Sequence, residues 1–176
     1  AGCSVTIGFG LNHYETWPHV LAEWKDCSVN VVGAPGATIA KIVYMVFSHV
    51  DSYGWPAEIN VCLPDIHRGS SIIGRSDRIE ETPIWYNPET GEFHTHQNPN
   101  GRLTPFKVIS PDGTSRKPSL HSVVRENLMA LDVLSMACRS LGIRLQISTH
   151  VGSTHQALCS AGYIYPGYSL LLDEMM

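Results

Sequence analysis

The first residues able to do chemistry lie in AGCSVTIGFGLNHYETWPHVLAEW, where Ser4 follows Gly2 and Cys3 and precedes Gly8 and Gly10. A serine on a strand-to-helix turn can present its hydroxyl at a sheet edge, with backbone N–H groups beside it to hold an oxyanion. The same placement suits a serine that only forms or caps a turn. In NVVGAPGAT the glycines permit close backbone approach, so Gly36 can donate its N–H to that oxyanion. A plain turn into a helix capped by Thr38 is the other reading. As base, His155 in GSTHQAL falls just beyond a predicted strand end, with His150 in reserve; a cap or surface role suits either. His94 and His96 in GEFHTHQN stand on one side of an extended chain, half of a metal site without an obvious third ligand, and a surface loop is the preferred reading. Trp85 and Tyr86 in PIWYNPETGEF line a substrate or partner surface or, preferably, pin a loop down.

Such residues need a scaffold that brings them to one edge. TWPHVLAEW predicts a helix, with Thr16 placed to cap it and Pro18 in its first turn. SVNVVGAPG is a β-branched run ended by glycines, suited to a buried parallel strand. ATIAKIVYMVFSHV is a second helix, and AEINVCLP a strand stopped by Pro64. Residues 65–119 are rich in Gly, Pro, Asn and Thr, with turn signals in NPETGEF and SPDGTSR, and predict a loop-rich excursion from the sheet. SVVRENLMALDVLSMACRSLG is the clearest helix, stopped by Gly142. GIRLQISTH is a strand, and STHQALCSAG a short helix capped by Ser153. This alternation predicts one α/β domain over residues 1–176, with a mostly parallel sheet. In such sheets chemistry collects at the carboxyl ends of the strands: here Cys3–Ser4, Gly33–Gly36, Pro64–Arg68 and Ser148–His155.

Bulk composition narrows the function classes. A chain of 176 residues can bury a sizeable core, and 43% hydrophobic with 16% charged residues is ordinary for a globular protein. A formal charge of −4 argues against a nucleic-acid partner. The apolar runs are too short to span a bilayer, and no secretion signal opens the chain, so the expected place is the cytoplasm. Five scattered cysteines with no C-x-x-C pair read as buried thiols in a reducing compartment. No P-loop or dinucleotide fingerprint occurs, and no cofactor is expected.

GCSVTIGFGL, ETWPHVLAE and VNVVGAPGAT together resemble the first two blocks of the SGNH (GDSL-like) hydrolase superfamily, over residues 1 to about 45. They are especially similar to the G-C-S variants of bacteria and bacteriophages. The resemblance implies a three-layer α/β sandwich of SGNH or flavodoxin-like type. It makes Ser4 the nucleophile and Gly36 an oxyanion donor, and it implies a small ester or acylated glycan as substrate. The family's G-x-N-D block is not present, since the third strand ends LPDIHRGSS, and no D-x-x-H occurs. Asp65 or His67 stands near the missing asparagine, and an ionised Asp65 there would oppose an oxyanion. His155 is the substitute base, without an acid three residues before it, so a complete Ser-His-Asp triad is not expected. Either the chain is incomplete at its ends, or the scaffold persists without catalysis. The alternative function is therefore a non-catalytic SGNH-like module of a larger assembly, such as a virion, engaging protein partners through residues 65–119.

Overall fold

The computed structural model describes residues 1–8, 10–75, 78–96, 103–105, 108–109, 115–116 and 118–162. Its centre is a small parallel sheet. Strand β1 (Glu58–Leu63) pairs in parallel with β8 (Arg144–Thr149), in the register Glu58↔Arg144 to Leu63↔Thr149. On the other side of β1, Gly2 bridges in parallel to both Cys62 and Gly33. The spatial order is therefore the Gly33 segment, Gly2, β1 and β8, with every carboxyl end at one edge. Ile59, Val61, Cys62 and Leu63 of β1 are buried, as suits a strand with both faces covered over most of its length.

The helices follow from apolar spacing. In α3 (Ile39–Tyr53), Ile39, Ile42, Val43, Val46 and Val50 recur at helical intervals and are all buried. The Thr38 side chain caps this helix by accepting from the Lys41 amide. In α4 (Leu120–Leu141), Leu131, Leu134 and Cys138 join Ile59, Val61 and Leu63 of β1 in the same core, and the helix ends at Gly142. Helix α2 (Trp17–Trp24) starts after Thr16 with Pro18 in its first turn, although the Thr16 hydroxyl donates back to the His13 carbonyl and caps nothing. Helix α5 (Gly152–Ser160) is likewise not capped by Ser153, whose hydroxyl donates to Asp65 instead. No helix among the described residues is long and apolar enough to cross a membrane.

Two sequence expectations need correction. Residues 65–119 do leave the parallel sheet, but as strands rather than loop. β2 (Gly69–Arg75), β3 (Arg78–Asn87), β4 (Glu92–His96) and β5 (Leu103–Pro105) form an antiparallel sheet in that order, and β6 (Val108–Ile109) pairs with β7 (Ser115–Arg116). The NPETG signal is a hairpin turn, with the Gly91 amide donating to the Asn87 carbonyl (2.9 Å). Ile84 and Phe93 anchor this sheet on Val123 of α4. The second correction concerns SVNVVGAPG. It meets a neighbour only near Gly33, and residues 28–32 form no strand. A strand exists only where a partner takes up its backbone groups.

Gly2 is fixed by contact. A Cβ there would lie 1.9 Å from Thr6 Oγ1 and 2.8 Å from the Cys62 carbonyl oxygen. Gly2→Ala is expected to lower the unfolding free energy by about 2–3 kcal/mol, read from urea midpoints, because backbone and helix α1 (Ser4–Ile7) cannot both stay in place.

Candidate functional site

Ser4 is the first residue of α1, two residues beyond the bridge that places Gly2 in mid-sheet. It is half-buried, and its hydroxyl has no hydrogen-bond partner among the described residues. The Thr6 and Ile7 amides turn back to the Cys3 carbonyl (3.0 and 3.3 Å), which forms the turn. Gly36 follows the neighbouring strand end with φ +72°, a conformation that favours glycine. Pro83 of β3 would lie 3.1 Å from a Cβ at this position, so the antiparallel sheet covers the Gly36 loop. Among the described residues the amides of Ser4 and Gly36 have no acceptor.

The next strand end carries a feature with no family signature. Asp65 Oδ1 lies 3.1 Å from His67 Nδ1 and accepts the His67 amide (3.1 Å) and the Ser153 hydroxyl (3.4 Å). Both side chains are roughly a third exposed. A carboxylate on Nδ1 fixes the imidazole and leaves Nε2 available, an acid–base arrangement. Tyr86 packs near the ring, with centroids 6.1 Å apart. Arg68 follows, donating to the Ala37 carbonyl beside Gly36 (3.4 Å) and lying over Trp85, with its Nε buried and without a partner. Trp85 and Tyr86 thus face this strand end.

Two buried side chains hold the Pro64–Arg68 loop. Asn127 of α4 donates to the carbonyls of Ile66 (2.8 Å) and Arg68 (3.0 Å), and its Oδ1 accepts the Ala40 amide at the start of α3 (3.1 Å). Thr154 of α5 donates to the Pro64 carbonyl (3.0 Å) and accepts the Ile66 amide (2.7 Å).

His155, His150 and His94 make their contacts elsewhere. His155 Nε2 lies 3.4 Å from Cys159 Sγ, one turn along its own helix. His150 Nδ1 lies 3.9 Å from Cys62 Sγ. Burial, and secondarily the neighbouring Cys3, push the Cys62 thiol up, so it stays protonated and is a poor nucleophile. No hydrogen bond among the described residues joins Ser4 to either histidine. His94 Nε2 sits 3.4 Å from Thr90 Oγ1 in the β3–β4 hairpin; the His96 side chain lies outside the described residues, as does 163–176. No family model, curated protein or solved structure gives a significant match to this chain.

Proposed function

We propose that the protein is an SGNH-type ester hydrolase, with a three-layer arrangement of its α/β fold, in which Ser4 attacks an acyl carbonyl. The observation that carries this reading is the free Ser4 hydroxyl one strand away from the Asp65–His67 pair. Adjacent strands lie about 4.8 Å apart, which brings their carboxyl ends within the span of one substrate. His67 Nε2 takes the Ser4 proton as the Oγ–carbonyl bond forms. The amides of Ser4 and Gly36 donate to the resulting oxyanion, and His67 returns the proton to the departing alcohol. Water then repeats the sequence on the acyl-serine. His67 thus replaces His155 as base, and Asp65 acts as the orienting carboxylate instead of opposing the oxyanion.

A fluorophosphonate probe tests this reading, because it reacts only with an activated serine. Adduct mass on the peptide containing Ser4, together with loss of p-nitrophenyl acetate turnover in Ser4→Ala, is the expected result. Unlabelled Ser4 in folded protein would remove the enzyme reading.

The second reading, a non-catalytic module of a virion or other assembly, draws support from exposed Tyr14, Trp24, Tyr44 and Tyr53. Large exposed aromatics suit partner surfaces. An unreactive Ser4 combined with a stable co-purifying protein partner would favour it.

A further inference from the structure

Arg68 takes no part in the chemistry assigned to Ser4, Gly36 and His67, yet it stands among them. It follows His67, and its Nη1 donates to the carbonyl of Ala37, the residue after Gly36 (3.4 Å). The Gly33 segment and β1 lie on either side of Gly2. A side chain that leaves the β1 end and stops at Ala37 therefore links the two strand ends that flank the one leading to Ser4. The residue is fixed at its backbone, where Asn127 donates to the Arg68 carbonyl (3.0 Å), and its guanidinium carbon lies 5.8 Å from the centroid of the Trp85 ring. What the guanidinium lacks is a counter-charge. The residue is half-buried and its Nε is buried, so water solvates the cation poorly. Among the described residues it forms no ion pair, and Nε and Nη2 have no acceptor. Asp65, three residues back, directs its Oδ1 to His67 and the Ser153 hydroxyl instead. A guanidinium in such surroundings gains most from an incoming carboxylate, whose two oxygens fit its parallel N–H groups.

We propose that Arg68 binds a carboxylate carried by the acyl half of the substrate, so that the esters hydrolysed are monoesters of short dicarboxylic acids. This substrate class rests on the hydrolase reading. The guanidinium stands at the Gly36–Ala37 loop, where the carbonyl oxygen is held, whereas His67 Nε2 serves the departing alcohol. The charge therefore belongs to the acyl half. No bond to this carboxylate forms or breaks: it stays on the acyl-serine until water releases the diacid. Arg68 is thus a specificity-determining residue, which holds the substrate while Ser4 and His67 act on its far end.

The test compares monomethyl succinate, glutarate and adipate with uncharged methyl esters of equal chain length, by titrating the acid released. At the best-fitting length, kcat/KM is expected to be about 10–10²-fold higher for the charged ester, as a hydrogen bond between charged groups provides. In Arg68→Gln that preference is expected to vanish. In Arg68→Lys, which keeps the charge without the fork, part of it should survive. A merely structural Arg68 would lower both esters alike and leave the preference intact, which would overturn the proposal. Calorimetric titration of the three diacids into Ser4→Ala protein, repeated with Arg68→Gln added, needs no turnover and separates the two ways of failing. Hydrolysis with no preference for the charged esters overturns the Arg68 assignment and leaves the hydrolase reading standing. Diacid binding that depends on Arg68, without turnover of any ester, supports the carboxylate site and removes the hydrolase reading. Neither turnover nor binding overturns both.

Discussion

His67→Ala is expected to lower ester turnover by about 10²–10⁴-fold, whereas His155→Ala changes it by less than about threefold. The difference follows from what holds each ring. His67 has its Nδ1 on Asp65 at 3.1 Å, which selects the tautomer with Nε2 as the basic nitrogen. His155 directs Nε2 to Cys159 of its own helix. The check is kcat/KM for p-nitrophenyl acetate in the two variants, with far-UV circular dichroism to confirm folding. The fall should lie in kcat, because the proton moves in the transition state and not on binding. A large loss in His155→Ala with little in His67→Ala would return the base to α5.

The helices are legible in the sequence for local reasons. α3 and α4 each carry a sustained apolar stripe, and Thr38 and Gly142 mark one end of each. β1 is legible because five apolar or short polar residues, Ile59 to Leu63, run into Pro64. The excursion is not, because Gly, Pro and Asn mark turns without saying whether strands join them. RIEETPIWYN is charged at its start, and what makes it a strand lies elsewhere in the chain: its ladders to β2 and β4, and the packing of Ile84 and Phe93 with Val123. Residues 28–32 fail in the opposite sense. Their β-branched composition suits a strand, yet a ladder needs a neighbour, and only the part near Gly33 has one.

Ser4 and Gly36 come from short local motifs, so sequence alone locates them at two strand ends. Asp65 and His67 leave a weaker trace, an acid and an imidazole two apart after a proline-stopped strand. Their pairing depends on a turn that spacing does not specify. Asn127 and Thr154 leave none. Each acts on backbone groups about sixty to ninety positions away in sequence, contacts that only the folded chain creates.

Asn127→Leu is expected to cost about 3–5 kcal/mol of unfolding free energy, one of the largest single effects in the molecule, because three backbone groups lose their partner at about 1–3 kcal/mol each. Those groups are the Ile66 and Arg68 carbonyls and the Ala40 amide, around a side chain 2% exposed. The same change should loosen the loop that carries Asp65 and His67, so turnover falls even where the protein remains folded. Asn127→Asp separates the two polar functions of this side chain. It keeps an acceptor for Ala40 but turns a carboxylate towards two carbonyl oxygens in a buried site. Desolvation and repulsion raise the folded pKa of the new carboxyl above its unfolded value of about 3.9. The folded state then binds more protons, and stability falls as pH rises from the unfolded towards the folded pKa. Urea unfolding of this variant against the parent should show a small deficit near pH 4 that widens towards neutrality. A deficit independent of pH, or a cost under about 1 kcal/mol for Asn127→Leu, would mean that the loop is held by Thr154 and packing alone.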